Sequence, residues 1–362
     1  MVDPHMTPPT ARPRKQEQEP ASDEVVEVAP GVLRAQLPID MPGLGHVNCY
    51  VLEDERGVAV VDPGLPGPTS FKALTARLRS VGVPMARVHT VVVTHSHPDH
   101  YGGAGWVRRE SGADIVTHRR FRMMWDPTEP PDVDVEDVPD LVGSTASPRM
   151  PWDPPPWGGP GVPIPRKRRM MMRVGRRFPR LVRLPTPTVR LDDAQTFRLG
   201  GREWVALHTP GHTDDHLCLF DPAGGVMLSG DHVLPTITPH IGGHGRDRDP
   251  LARFFDSLRK VAEYGPEVSV ALPAHGQPFA DLAGRARSIE EHHVGRLEVL
   301  RRAAEGLGRP ARVSELSEHL FSARAQGAMA DSETFAHLEH LRLQGEAERL
   351  VRADGYEYVL TE

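Results

Sequence analysis

Residues 94–100 read THSHPDH and place three histidines and one aspartate in seven consecutive positions. The stretch follows the apolar run Val91–Val93, which predicts a buried strand, so the polar side chains stand where that strand ends. Imidazole and carboxylate groups are ligands for zinc, iron and manganese. A backbone that turns at a strand end can aim alternate side chains at two neighbouring points, so one loop could serve two metal ions. It cannot close a metal site alone, and further ligands must come from elsewhere in the chain.

Three later fragments supply side chains of the same kind, each just after a predicted strand. HTPGHTDDH places His212 in a Pro-Gly turn, LSGDHVLP places Asp231 after a Ser-Gly turn, and LPAHGQP places His275 before a glycine. A single turn histidine is more often solvated than a ligand, but the fragments together indicate one site. The candidate ligands are His95, His97, Asp99, His100, His212, Asp231 and His275. His232 and His240 are interpreted as loop residues without a catalytic role.

The composition limits the class of protein. The chain has 362 residues, a net charge of −6 and two cysteines, a length that accommodates one large and one small domain. The net charge does not favour a general nucleic-acid binder. Cys49 and Cys218 lie in apolar surroundings, which predicts buried reduced thiols. No stretch has the character of a membrane span or a secretory signal, so we expect a soluble cytoplasmic protein.

Short apolar strands alternate with helices over residues 25–285, which predicts a layered α/β domain. Residues 1–24 are polar and lack periodicity, so we expect a disordered tail, and residues 1–5 resemble a cloning scar. The Pro- and Arg-rich segment 119–187 interrupts the domain. It is either a lid with an anion-attracting face or a solvated, partly disordered insertion, and the sequence leaves both open.

Residues 286–362 show three helices and a hairpin, a pattern typical of a small winged-helix-like module. The capping box of Ser288 and Glu291 predicts a first helix that ends near Leu307. The other predicted elements are helices at 314–321 and 331–344 and strands at 348–352 and 356–360. Acidic residues outnumber basic ones in this region, so packing or formation of a homodimer is favoured over DNA binding.

These motifs resemble those of the metallo-β-lactamase superfamily of hydrolases over roughly residues 25–285, the insertion excepted. The resemblance implies an αββα sandwich with a dinuclear site at one edge of its two sheets. Carried over by position, the ligands of the first metal ion are His95, His97 and His212. Those of the second are Asp99, His100 and His275. Asp231 would bridge two divalent ions, with zinc expected and iron or manganese as alternatives, and Asp62 would orient a ligating histidine.

The resemblance also implies a mechanism. Two cations a few ångströms apart lower the pKa of a shared water to about 7 and supply hydroxide at neutral pH. The metal-bridged hydroxide would attack a carbonyl or phosphoryl centre while a metal ion polarises the oxygen that gains charge. Asp99 or a metal-bound water would protonate the leaving group, which makes Asp99 and Asp231 the expected catalytic carboxylates. A purely structural zinc site is disfavoured, because seven ligands exceed the four of a closed site.

Smaller sequence features distinguish between the subgroups of this superfamily. Secreted zinc β-lactamases lack a bridging aspartate, and homoserine-lactone lactonases usually have a tyrosine where this chain has Leu234. The C-terminal pattern also differs from the glutathione-binding helices of glyoxalase II. TPGHTDDH, SGDHVLP, PAHG and FAHLEHLRLQGEAERL are similar to the lactamase-β-like-protein-2 group, which includes a single-strand endoribonuclease and polyketide thioesterases.

That similarity leads us to expect a small-molecule ester or thioester as the substrate. The Pro, Trp and Met content of the insertion suits an apolar acyl group. Cleavage of single-stranded RNA is the alternative, supported by the arginines of residues 166–183. A non-catalytic winged-helix DNA-binding regulator and an iron-dependent persulfide oxidation are further alternatives.

Overall fold

A computed structural model of the protein describes residues 15–41, 43–123, 152–178, 186–243 and 247–361. Within these ranges the first β-sheet has seven strands in sequence order, antiparallel from β1 to β4 and parallel from β4 to β7. They are β1 (Val25–Ala29), β2 (Val32–Met41), β3 (Leu44–Asp54), β4 (Gly57–Val61), β5 (Val88–Val92), β6 (Asp114–His118) and β7 (Val189–Leu191). The valine-rich strands β4 and β5 are buried almost throughout, because other layers cover both faces of the sheet there.

The second sheet has five strands in the described ranges, in the order β12-β11-β10-β9-β8. They are β8 (Thr196–Leu199), β9 (Arg202–His208), β10 (Leu217–Asp221), β11 (Val226–Gly230) and β12 (Val270–Pro273). Strands β8 to β11 pair antiparallel, and β12 joins β11 in parallel. Because β11 and β12 are parallel, the chain must cross over between them, and this crossover contains a helix.

Helices cover the outer faces of both sheets. Those in the described residues are α1 (Pro68–Ser80), α2 (Pro98–Tyr101), α3 (Ala104–Ser111), α4 (Arg166–Arg177), α5 (Pro250–Glu263), α6 (Leu282–Leu307), α7 (Val313–Leu320) and α8 (Ala328–Leu343). Single 3-10 turns lie at Gln16–Gln18, Met85–Arg87 and Gly265–Glu267.

Three apolar clusters define the layers. The cluster between the two sheets joins Val92 of β5 to Trp204 of β9. A second cluster buries Leu74 of α1 against the outer face of the first sheet, and a third buries Phe254 of α5 and Leu300 of α6 against the outer face of the second. The order of helix, sheet, sheet and helix confirms the predicted αββα sandwich.

The candidate ligands follow the carboxyl ends of strands. Strand β4 ends just before Asp62, β5 just before Thr94, β11 at the residue before Asp231, and β12 shortly before His275. Because β4 pairs parallel with β5, and β11 with β12, each pair of loops emerges at one edge of its sheet. The topology therefore brings fragments that are far apart in sequence to one end of the sandwich.

The C-terminal region contains α6, α7 and α8 and a sheet of β13 (Ala311–Arg312), β15 (Gly355–Leu360) and β14 (Ala347–Arg352). The hairpin of β14 and β15 is present as predicted, whereas the winged-helix assignment stays a prediction. The predicted start of the first helix at Ser288 was wrong, because α6 begins at Leu282 and Asp281 caps it by accepting a hydrogen bond from the Gly284 amide at 2.8 Å. The proposed boundary at residue 285 therefore falls inside α6.

Part of the expected disordered tail packs against the fold. Residues 1–14, which include the suspected cloning scar, lie outside the described residues. The side chain of Glu17 is buried and accepts hydrogen bonds from the backbone amides of Thr236 and Ile237 at 2.8 and 3.1 Å. This carboxylate satisfies loop amides that would otherwise lack partners, an interaction that composition does not predict.

The insertion is ordered where the structure describes it. Residues 124–151 and 179–185 lie outside the described ranges. Trp157 is buried and stacks on Phe335 of α8, with ring centroids 4.3 Å apart. Helix α4 follows and is largely exposed, with Met170 63% and Met171 56% accessible. The insertion is thus anchored on the C-terminal region and carries a basic helix with exposed apolar residues.

Two simpler expectations concern the cysteines and membranes. Cys49 and Cys218 are buried free thiols, as predicted. Burial raises the pKa of the Cys218 thiol to about 12, so it stays protonated and unreactive. In the part of the chain that the structure describes, no helix combines the length and the apolar character needed to cross a bilayer.

Candidate metal centre

The structure brings all seven candidate ligands together in two groups. Ligand atoms of the first group lie within 4.8 Å of one another, and those of the second group do likewise. The first group is His95, His97, His212 and Asp231. The second is Asp99, His100 and His275. These are the two sets of side chains that the resemblance implied, with Asp231 grouped with the first set, and their role as ligands stays a prediction.

A short helix explains how one loop serves both groups. After β5 the chain bends at residues 95–97, and His97 occupies the N-cap position of α2 with extended backbone angles, followed by Pro98 at the first helical position. Asp99 and His100 then lie in the turn of α2, whereas His95 and His97 precede it. The change from extended to helical backbone sends the two pairs of side chains in different directions.

Asp231 lies between the two groups. Its Oδ2 is 3.6 Å from His212 Nε2 of the first group and 3.6 Å from His100 Nε2 of the second. Its Oδ1 is 3.3 Å from His275 Nε2. In a tetrahedral zinc site with bonds of about 2.0–2.1 Å, neighbouring ligand atoms are separated by roughly 3.3 Å. The observed separations of 3.3–3.6 Å are compatible with ligand atoms arranged around a shared cation.

Several of these atoms lack hydrogen-bond partners although they are buried. Among the described residues, the Nε2 atoms of His100, His212 and His275 and Oδ1 of Asp231 have none. The other ring nitrogen is occupied in all three of these histidines. Nδ1 of His212 donates to the His240 carbonyl at 2.8 Å, Nδ1 of His275 donates to the His46 carbonyl at 2.6 Å, and Nδ1 of His100 donates to Asp62. Each Nε2 therefore keeps a free lone pair, as metal ligation requires.

Asp62 contacts a ligand in the predicted way. Its Oδ2 accepts a hydrogen bond from Nδ1 of His100 at 2.9 Å and another from the Thr94 hydroxyl at 2.7 Å. Its Oδ1 accepts from the Thr94 amide at 2.9 Å. Asp62 has a φ of +56°, a left-handed conformation that aspartate tolerates better than most residues. The strained backbone thus holds a carboxylate that fixes both the loop and one ring.

Buried negative charge dominates the site. Asp62, Asp99 and Asp231 are at most 6% exposed, and within the described residues their ion pairs and hydrogen bonds involve histidines and Thr94 but no lysine or arginine. Burial opposes ionisation of Asp231, but the charges of His275 and His100 outweigh it and hold its pKa well below the usual value. Uncompensated carboxylates are costly to bury. The residues present therefore fit bound divalent cations.

The pKa values of His100 and His97 are shifted in opposite directions. Burial lowers the pKa of His100, but the charges of Asp99 and Asp231 outweigh burial and raise it well above the usual value. Burial, together with His212, lowers the pKa of His97 to about 3, so His97 is neutral at physiological pH. Metal ligation needs neutral imidazole, and a cation replaces the protons that the carboxylates would otherwise attract.

Sequence reasoning missed three histidines that support the candidate ligands, and the first is His46, whose carbonyl accepts from Nδ1 of His275. Nε2 of His216 accepts a hydrogen bond from the Asp231 amide at 3.1 Å, and its Nδ1 lies 2.7 Å from the Thr209 hydroxyl. His216 is the last residue of the HTDDH motif, so its position there could have identified it. His240 supports His212 through its backbone carbonyl, which no motif indicates. His232 is buried but belongs to neither ligand group.

An αββα sandwich with these two ligand groups at the edge of its sheets is an arrangement that suits a metal-dependent hydrolase. The family model of the metallo-beta-lactamase superfamily matches residues 42–275, more than half of the chain. The chain therefore belongs to the metallo-beta-lactamase superfamily, and it is a metal-dependent hydrolase.

Individual relatives show how far the similarity extends. The probable metallo-hydrolase YqjP of Bacillus subtilis is 24% identical over 311 residues, which cover 83% of this chain and 89% of that protein. The crystal structure of the metallo-beta-lactamase family protein TTHA1429 from Thermus thermophilus has a TM-score of 0.72 and 30% identity, and covers 92% of this chain and 100% of that one. An atrochrysone carboxyl ACP thioesterase of Aspergillus fumigatus is 35% identical over 96 residues, only 26% of this chain and 20% of the relative.

Proposed function

We propose that the protein is a dinuclear metal-dependent hydrolase of small-molecule esters or thioesters. His95, His97 and His212 would hold one ion. Asp99, His100 and His275 would hold the other, with Asp231 shared. The observation that carries the proposal is the position of the Asp231 carboxylate, whose Oδ2 is equally close, at 3.6 Å, to a histidine of each group. Bound divalent ions would activate a water molecule and polarise a substrate oxygen.

The residues of the chain orient this site and move protons. Asp62 and the carbonyls of His46 and His240 each hold one imidazole in a fixed orientation. The carboxylate of Asp99 is proposed to accept a proton from the attacking water and to pass it to the leaving group. Its Oδ2 lies 3.4 Å from His100 Nε2, on the side of the site where the second group meets Asp231.

Zinc is the proposed metal, because histidine and carboxylate ligands with separations of 3.3–3.6 Å suit its bond lengths. Iron and manganese accept the same ligands and are the alternatives. Metal analysis of protein purified without added metal distinguishes the three. Oxygen uptake with a persulfide substrate would indicate the iron enzyme instead.

The thioester preference rests on a relative and on the insertion. The fungal relative is named a thioesterase that acts on an ACP-linked substrate, although the similar segment spans only 20% of it. The insertion supplies the exposed methionines Met170 and Met171, side chains suited to an acyl group. RNA is the second candidate substrate, and the exposed Arg166, Lys167 and Arg173 of α4 support it because they could neutralise phosphates.

A substrate panel tests the proposal. Metal-loaded protein is assayed with acyl thioesters, aryl esters, lactones, phosphodiesters and single-stranded RNA, with the His97→Ala variant as the negative control. We expect hydrolysis of a thioester or ester that depends on His97. Cleavage of RNA without cleavage of any acyl ester would overturn the substrate assignment. A DNA mobility shift without any hydrolysis would support the regulator instead.

A further inference from the structure

A chain of hydrogen bonds leads from the metal centre to the C-terminal region. Nδ1 of His212 donates to the backbone carbonyl of His240 at 2.8 Å. The His240 side chain in turn donates from Nδ1 to Oε2 of Glu333 at 3.2 Å. Glu333 belongs to α8, far along the chain from every candidate ligand. A carboxylate of the C-terminal region is thus two steps from a metal ligand.

Glu333 is itself held in place. It is 6% exposed, and Arg296 of α6 forms an ion pair with its Oε1. Its backbone carbonyl accepts a hydrogen bond from Nδ1 of His337 at 2.7 Å. Both carboxylate oxygens therefore have partners, and the one that faces His240 has little freedom to move. By contrast, the His240 side chain is 25% exposed and depends on this contact for its position.

The segment that contains His240 is tied to α8 at a second point. The Gly243 amide donates to the hydroxyl of Ser332 at 3.1 Å and lies 3.3 Å from the Ser332 carbonyl. A Cβ added at Gly243 would collide with the ring of Phe335, so the backbone approaches the helix as closely as glycine permits. Contacts at both ends of residues 240–243 make the position of the His240 carbonyl depend on α8.

We propose that Glu333 is a positioning residue for the metal centre, which acts on His212 through His240. The inference rests on the proposed metal-binding role of His212. A ligating histidine is held in orientation by the acceptor of its other ring nitrogen, and loss of such an acceptor weakens metal binding. Here the acceptor is a backbone carbonyl on a loop, and the C-terminal helix supplies the rigidity that the loop lacks.

Glu333 also lies in a buried cluster with His293 and His337 whose atoms could themselves hold a metal ion. The contacts favour a hydrogen-bonded cluster instead. His293 Nδ1 lies 3.1 Å from His337 Nε2, and Arg296 and His240 occupy the two carboxylate oxygens. A guanidinium already neutralises the carboxylate, so a cation there would be repelled.

The test compares two buried carboxylates of the same helix. Glu333→Ala removes the contact to His240, whereas Glu339→Ala removes a carboxylate that is 5% exposed and bonds instead to Tyr358, Arg342 and Arg349. Both variants should lose stability, measured by thermal unfolding of the metal-free protein. Only Glu333→Ala should weaken metal binding, by at least about tenfold in a chelator competition assay. It should also change the absorption spectrum of the cobalt-substituted protein.

Two further variants keep the result independent of folding defects. Glu333→Gln retains an acceptor for His240 and should restore part of the affinity. His240→Phe keeps an aromatic ring but removes the donor at a position that is 25% exposed, and it should weaken metal binding as Glu333→Ala does. The double variant Glu333→Ala with His240→Phe should lose no more metal affinity than either single variant, because both substitutions remove the same contact.

The outcomes separate the two proposals. Unchanged metal affinity and an unchanged cobalt spectrum in both Glu333→Ala and His240→Phe would overturn the positioning role while leaving the metal centre intact. Equal weakening by Glu339→Ala would also overturn it, because the effect would then follow from stability alone. Failure of the wild-type protein to bind metal would overturn the positioning role and the proposed function together.

Discussion

His100 donates its Nδ1 proton to Oδ2 of Asp62 across 2.9 Å, and the same carboxylate also fixes the Thr94 amide at the start of the ligand loop. One side chain at the end of β4 therefore orients a ligand on the loop after β5. Because the strands are parallel neighbours, this support is built into the sheet rather than into the loop.

Asp62→Asn should weaken metal binding by roughly 10- to 100-fold. The amide cannot accept from Thr94 and His100 with both of its ends, whereas asparagine tolerates the left-handed backbone at this position. The dissociation constant is measured by chelator competition. Asp221→Asn is the matched control, since Asp221 is equally buried but pairs with Arg202 rather than with a ligand. Equal affinities for wild type and Asp62→Asn would contradict the orienting role.

His97→Ala should abolish turnover with little loss of stability. His97 is a proposed ligand on the loop after β5, and it belongs to none of the three apolar clusters. Turnover should fall to the background of the metal-free protein, and the unfolding temperature of the metal-free variant should stay within a few degrees of wild type. An unfolded variant, or one with near-normal turnover, would show that the residue has a different role.

Neutral replacements at Arg166 and Lys167 should raise KM severalfold for anionic substrates if the insertion covers the site. Both residues are exposed on α4, so the expected effect is loss of long-range attraction and should shrink at high salt. Arg79→Gln with Arg302→Gln removes the same charge from exposed positions elsewhere and is the control. Unchanged kinetics in the α4 variant would favour a solvated insertion without a role in substrate binding.

Acid should destabilise the protein through His293 and His337. Burial, aided by the neighbouring charge of His337, lowers the pKa of His293 to about 2. Burial lowers the pKa of His337 to about 4, although Glu333 opposes the shift. The unfolded chain binds these protons near pH 6.5, so this stability is fully present above pH 6.5 and is lost as the pH falls, down to about 4 for His337 and about 2 for His293. The loss is about 1.4 kcal/mol per pH unit for each histidine.

Chemical denaturation of the metal-loaded protein between pH 7.5 and 5 measures this slope. His293→Gln should make the slope shallower, because one group that titrates only in the unfolded state is removed. A variant with the wild-type slope would show that His293 is protonated in the folded protein.

The candidate metal centre could be predicted from the sequence because its proposed ligands lie in short motifs at strand ends. THSHPDH supplies both groups by a local change from extended to helical backbone, which the pattern of residues around Pro98 already indicates. The supporting contacts were not predictable in the same way. Glu17 and Glu333 meet their partners across more than ninety residues of sequence, and no periodicity encodes such contacts.

The start of α6 shows why a capping pattern alone does not predict where a helix begins. Ser288 and Glu291 form a valid capping pattern, yet Asp281 supplies another cap about two turns earlier. Leu282, Ala286 and Ile289 are buried on one face of α6, so packing extends the helix towards its N-terminus. Tertiary burial therefore decides between two capping signals that the sequence alone leaves equal.

The continuous cluster of α5, α6 and α8 on the outer face of the second sheet has a consequence for how the protein unfolds. Phe254, Leu300 and Phe335 share that cluster, so melting the C-terminal helices would expose the sheet that carries His212 and Asp231. Calorimetry should accordingly record one cooperative transition rather than two. A chain truncated at residue 285 would then be an aggregation-prone fragment instead of an autonomous catalytic unit.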